Sequence, residues 1–303
     1  MNDQGLISFH PSSKKIDGVF SIIIPSWNNL PYLKCCINSI RKNSHFTHEI
    51  IVHINEGNDG TIEWLKEQEI SYTYSKNNVG VCYALNAASS LATSELMVLT
   101  DDDKYYCPGW DEPLFNEVKK LDHIYFAINA TSIEWKTTTN KCVIAPYNFG
   151  PSIEEFDEEK LLKEYKNLPF EDWTGGNWYP MLLHKKIWTL IGGLSIEFSP
   201  GMGSDPDMMM KLWNVGVRYY KGVSEARVYH FISKSVSRIK KNDGYLQFLR
   251  KWGMTSSTFF RFYLHLGEKF NGYSKEPENS SALNRHLLKD KIKRTYTFFK
   301  KTH

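Results

Sequence analysis

The stretch ELMVLTDDD, residues 95–103, sets a short apolar run directly before three adjacent carboxylates. A run of this length and composition reads as a buried strand. Three like charges at its end cost free energy unless a cation joins them or one takes up a proton. The same layout recurs upstream. VFSIII (19–24) is a strand stopped by Pro25, EIIVHI (49–54) is a second, and SYTY (71–74) is a third. Between them, residues 31–43 carry Leu33, Ile37 and Ile40 on one helical face. A second helix begins near Asp59, and a third spans 79–91. Such alternation argues for an α/β fold with a parallel sheet covered on both faces. Ligands of these sheets sit outside the carboxyl ends of the strands, where Asp101, Asp102 and Asp103 lie.

A divalent cation such as magnesium or manganese takes oxygen ligands and shares them with substrate phosphates. Clustered carboxylates at a strand end suit that task. The alternative is a solvated turn, and the preceding strand, the bulky Tyr105 and Tyr106 and the closing PGW (108–110) weigh against it.

A chain of 303 residues with 14% aromatics has enough apolar material for a real core. Five cysteines with no CxxC pair argue against a disulfide framework and for a reducing compartment. The charge is uneven: residues 284–303 carry +6 and leave −3 for the remainder. No apolar stretch approaches the roughly 20 residues of a membrane span, and the first residues lack a signal-peptide layout. A cytoplasmic protein is expected, peripheral on the inner face of the cytoplasmic membrane if the tail binds lipid. In that tail Leu288, Ile292, Tyr296 and Phe299 share a helical face among basic residues. The pattern fits a helix on anionic lipid or one packed on its own domain. No nucleic-acid recognition motif accompanies the charge.

SIIIPSWN (21–28), NVG (78–80) and LTDDD (99–103) with PGW (108–110) together resemble the nucleotide-sugar half of family 2 glycosyltransferases with the GT-A fold. The second half is similar too: GGLSIEF (192–198), SDPD (204–207) followed by MKLWNVG (210–216), and ARVYH (226–230). The resemblance covers about Val19 to Phe231, with the motifs in order. It implies an N-terminal extension (1–18), a nucleotide-sugar half (19–150) and an acceptor and catalytic half (151–235). A helical segment (236–270) and a polar linker with the basic tail (271–303) follow.

By resemblance Asp101 and Asp103 form a D-x-D pair around the variable Asp102. Asp103 would bind manganese or magnesium directly, with His230 completing the site, and Asp101 would hold ribose or a metal-bound water. For His230 alone, a packed core histidine is the competing reading. Pro25, Trp27, Asn28, Asn55, Asn78, Gly80, Asp101 and Asp102 make up the expected nucleotide side, with Trp27 either a stacking surface or a core aromatic. Asp205 is the expected general base, although an Asp before Pro206 also suits a helix N-cap. WTGGNW (173–178) marks the expected acceptor side through Trp173, Gly175, Gly176, Asn177 and Trp178, together with Asp207.

Two departures stand out. Ile54 and Asn55 occupy places where the family commonly has an Asp pair, and Leu85 precedes Asn86 where relatives often carry Arg. The implied activity is inverting, metal-dependent transfer from a UDP- or GDP-sugar to a glycan or lipid-linked acceptor, in bacterial surface polysaccharide synthesis. The alternatives are a nucleotidyltransferase on a similar sheet and a silent glycan- or nucleotide-binding module.

Overall fold

The computed structural model describes residues 6–176, 179–233 and 242–299. The chain opens with β1 (Ser8–His10) and β2 (Phe20–Trp27), then α1 (Leu30–Asn43), β3 (Glu49–Asn55), α2 (Thr61–Glu67) and β4 (Ser71–Ser75). Next come α3 (Gly80–Ser89), β5 (Leu96–Leu99), β6 (Lys104–Tyr106), α4 (Asp111–Lys119), β7 (Phe126–Glu134) and β8 (Val143–Ile144). Helix α5 (Glu158–Glu164) precedes β9 (Trp173–Thr174), β10 (Met181–His184), α6 (Lys185–Leu190), α7 (Ser204–Asn214) and β11 (Tyr219–His230). The last elements are α8 (Gly244–Trp252), α9 (Ser256–Phe259) and α10 (Ser281–Phe299).

One sheet organises these elements in the order β1-β4-β3-β2-β5-β10-β7-β11-β6. The expected parallel core is present: β4, β3, β2 and β5 are all parallel neighbours. The period-2 alternation of a strand sends Ile22 and Ile24 to one face and Ile23 to the other. Ile22 and Ile24 pack with Leu33, Ile37 and Ile40 of α1. Ile23 packs with Leu85 of α3 and the methionines of α7. Both faces are therefore covered.

Beyond β5 the sheet turns mixed. Strand β10 runs antiparallel to both β5 and β7. Strand β11 runs parallel to β7 and antiparallel to β6. The sheet is thus continuous across the expected division at residue 150. The ARVYH motif (226–230) ends a long strand, since β11 begins at Tyr219 and continues through an irregularity between Val223 and Arg227. Helix α5 starts where Asp157 caps it by accepting from the Lys160 amide.

Candidate active site

Strands β2 and β5 end side by side where the strand order reverses, with β3 beyond one and β10 beyond the other. Such a crevice is where open α/β sheets hold ligands. Asp101, Asp102 and Asp103 leave β5 there, and β6 then turns back to pair with β11, setting His230 opposite Lys104. The Phe231 amide donates to the Asp103 carbonyl at 3.1 Å, which locks the two chain segments together.

This pairing makes one cluster. Ligand atoms of Asp101, Asp103 and His230 all lie within 4.8 Å of one another. His230 Nε2 stands 3.5 Å from Asp103, and Nδ1 lies 2.9 Å from Glu134. An ionised carboxylate only accepts, so Nδ1 carries the proton toward Glu134 and Nε2 is left to face Asp103. Burial and the Lys104 ammonium pull the imidazolium down, yet the Asp103 and Glu134 carboxylates outweigh them and raise it. Asp103 moves the other way. Burial alone would raise it, but His230, Lys104 and the Ser233 amide hold it below the usual carboxylate range.

The residues fit a divalent cation. Two carboxylates suit magnesium and manganese, and an imidazole tilts the set toward the softer manganese. Lys104 bears on the division of labour. It is 2% exposed, and its ammonium stands 3.4 Å from Asp101. A buried ammonium needs such a partner, because desolvation costs several kcal/mol. One Asp101 oxygen is thereby engaged, and one Asp103 oxygen accepts from the Ser233 amide at 2.7 Å, so each carboxylate keeps its other oxygen on the cluster's side.

Asp102 requires a correction. It does not present itself to a nucleotide: it is buried and accepts from Ser26 Oγ at 2.7 Å and Asn29 Nδ2 at 3.0 Å. Burial and the neighbouring Asp103 push its carboxyl up to about 8. It braces the end of β2 against the end of β5.

Other expected nucleotide contacts also brace the crevice. Asn55 is buried, and its carbonyl oxygen accepts from the Val79 amide at 2.9 Å and Ser75 Oγ at 3.2 Å. It is therefore corrected from a base reader to a tie between β3 and α3. Asn28 donates to Glu56 at 3.0 Å and accepts from the Asn58 amide at 2.8 Å. Asn78 accepts from the Gly80 amide at 2.8 Å. Gly80 has φ +79°, and a Cβ there would lie 2.6 Å from Pro200. That contact seats the 199–203 loop on the start of α3. Pro25 and Trp27 are half-buried at the end of β2.

From that loop α7 begins, and here the competing reading of Asp205 fails. The N-cap is Gly203, at φ +87°, with no side-chain cap bond. Asp205 sits one residue inside the helix, near its positive end, with its carboxylate uncommitted to capping. Burial foremost, and then the Asp101 carboxylate, push it up to about 7, while the Tyr179 hydroxyl opposes them. Tyr179 reaches this point because β10 is antiparallel to β5, so the residues just before Met181 lie beside the end of β5.

The acceptor-side expectation is corrected in part. Trp173 is 3% exposed and donates through Nε1 to Thr131 Oγ1 at 2.9 Å. Its indole fills the space over Gly222, where a Cβ would overlap it. Trp173 is a core residue and not a sugar platform. Gly175 and Gly176 are also buried, and Gly176 (φ +125°) abuts Met209 and Tyr220. Asp207 is 0% exposed and accepts from Ser195 Oγ at 2.6 Å and Trp252 Nε1 at 2.8 Å, with Lys251 at 2.8 Å. It fastens α7 to α8 and does not reach an acceptor. Asn177 and Trp178 lie outside the described residues.

Sequence reasoning missed Glu134, Lys104 and Tyr179. A lysine set between three aspartates and two tyrosines was a readable signal for Lys104. Glu134 and Tyr179 acquire their positions only through pairing of distant strands.

The comparisons agree with this geometry. The family model described as "Glycosyl transferase family 2" matches residues 21–179, slightly more than half of the chain. An uncharacterised glycosyltransferase, YwdF of Bacillus subtilis (strain 168), is 27% identical over 122 residues. That match takes in 39% of this chain and 45% of the relative, so it spans less than half of the relative's length. The crystal structure of S. aureus TarS superposes with a TM-score of 0.54 at 13% identity, over 92% of this chain and 44% of that one. TarS 1–349 in complex with UDP-GlcNAc gives 0.51 at 14% identity, over 92% and 73%. The fold is of the GT-A type. With the ordered motifs, the strand-end crevice and the family match in agreement, the chain belongs to glycosyl transferase family 2.

Proposed function

We propose that the protein is an inverting, metal-dependent glycosyltransferase that moves a sugar from a nucleoside diphosphate sugar to a glycan or lipid-linked acceptor. The observation that carries this reading is the uncapped Asp205 carboxylate, standing in the field of Asp101 beside the Asp101–Asp103–His230 cluster. A carboxyl with a pKa near the working pH is suited to general base catalysis. Asp205 takes the proton of the acceptor hydroxyl as that oxygen bonds the anomeric carbon. The C–O bond on the opposite face breaks, and its electron pair leaves with the diphosphate. One displacement from the far side inverts the centre.

Asp103 and His230 would hold manganese or magnesium, which when bound offsets charge on the departing diphosphate. Glu134 holds the imidazole in position, and Asp102 keeps the β2 and β5 ends together. Synthesis of a bacterial surface polysaccharide, by an enzyme attached peripherally to the cytoplasmic membrane, is the setting we propose. Among the described residues no helix is long and apolar enough to cross a membrane.

The test is release of nucleoside diphosphate from a panel of UDP- and GDP-sugars, with manganese and with chelator. UDP-GlcNAc is the first donor to try, because it is bound in the TarS complex. Metal-dependent release from at least one donor is expected. No release from any donor would overturn the enzymatic reading and leave a silent binding module.

A further inference from the structure

Helix α10 is amphipathic the wrong way round. A surface helix ordinarily buries its apolar stripe and shows its polar one. Here the buried face is mixed, with Leu283 beside the polar Asp290 and Thr297. Asp290 is 5% exposed and accepts from the Thr255 amide at 2.9 Å and Thr258 Oγ1 at 2.6 Å. Arg294 donates to the Arg250 carbonyl at 2.9 Å, and Arg250 to the Thr297 carbonyl at 2.8 Å. These bonds fasten α10 to α8 and α9. On the opposite side Leu288, Ile292 and Tyr296 are 59%, 62% and 64% exposed. They stand at i, i+4 and i+8, so they form one continuous stripe. The sequence left the tail either packing on the domain or facing lipid; the inner face of α10 packs on α8 and α9, and its outer face stays exposed. The side chain of Phe299, expected on the same stripe, lies outside the described residues.

The charge around the stripe identifies the occupant. Lys289, Lys291 and Lys293 are exposed beside it, and the one acidic residue of 281–299, Asp290, is turned inward. The outward face therefore carries no negative charge. The remainder of the chain, outside 284–303, is net negative at −3, which turns it away from an anionic surface and α10 toward it. We infer that the outward face of α10 is a docking surface for anionic lipid, with Leu288, Ile292 and Tyr296 entering the headgroup–acyl boundary and the lysines meeting the headgroups. An apolar stripe flanked by lysines, with a tyrosine at its end, is the arrangement that lies in such an interface. This surface stands independently of the donor chemistry, and its test uses no sugar nucleotide.

The full chain is sedimented with vesicles of two parts phosphatidylcholine to one part phosphatidylglycerol, and with phosphatidylcholine alone. Two variants are compared, L288S/I292S/Y296S and K289Q/K291Q/K293Q, all at exposed positions. Binding to the anionic vesicles is expected to exceed binding to the neutral ones by about tenfold or more, and each variant is expected to lose about tenfold or more. Equal sedimentation of all three proteins, equal partition between the two lipids, or no sedimentation would overturn the inference. So would a concentration-dependent dimer that the serine variant abolishes without any vesicle binding, since the stripe would then belong to a second copy of the chain.

Discussion

His230 Nδ1 lies 2.9 Å from the Glu134 carboxylate, and the two residues stand directly opposite each other in the β11–β7 pairing. The contact turns Nε2 toward Asp103, so Glu134 orients the proposed metal ligand without replacing it. Glu134→Gln is expected to weaken manganese binding by about 10- to 100-fold, the usual penalty for losing an orienting partner. Titration of free manganese by electron paramagnetic resonance checks this. Unchanged affinity would detach Glu134 from the site.

The Asp205 carboxyl, pushed up to about 7 by burial and by Asp101, must be ionised to accept a proton. The acid limb of kcat/KM against pH is therefore expected near 7, with about a tenfold fall per pH unit below it. Asp101→Asn removes a negative neighbour and so favours the ionised form, which moves the limb to lower pH. The position of the limb is the readout, because the rate also reflects metal binding. A limb that stays in place would mean that Asp101 does not act on the base.

Asp207 is fully buried among Ser195, Trp252 and Lys251. Asp207→Ala is expected to cost about 2–3 kcal/mol, read as a lower denaturant midpoint. That is less than the loss from a fully dry pair, because Lys251 reaches solvent. The acceptor KM of the folded fraction should stay within about twofold, since a residue with no surface in the crevice contributes no uniform binding. A large KM change with unaltered stability would restore the acceptor role.

Trp173 separates core from platform in the same way. Its indole is buried over Gly222 and bonded to Thr131. Trp173→Ala is expected to destabilise by about 3–5 kcal/mol, the range for deleting a buried aromatic. Chemical denaturation measures it. A stable variant with impaired acceptor binding would contradict the structure.

The parallel core and the candidate site at its strand ends were legible in the sequence, because both rest on local patterns. VFSIII, EIIVHI and LMVL are short apolar runs, and Asp101, Asp103, Asp205 and His230 stand in ordered motifs. What was illegible depends on strands far apart in the chain. Nothing near Glu134 announces that β11 will bring His230 beside it. The same holds for Asp102, whose burial follows from Ser26 and Asn29, 76 and 73 residues away. Trp173 and Asp207 were misread because aromatic and acidic residues near glycines look alike whether they face a ligand or a core. The Asp205–Pro206 pair reads as a helix cap in isolation, and only the left-handed Gly203 shows that the cap lies earlier.

Asp205 is proposed to deprotonate the acceptor on a donor held at the Asp103–His230 end of the crevice. Single-turnover transfer by Asp205→Asn, with manganese and the best donor of the panel, tests it most directly. A rate about 100- to 10,000-fold below wild type is expected, with donor affinity within about threefold of wild type because the base acts in the transition state. Full transfer activity in Asp205→Asn would contradict it.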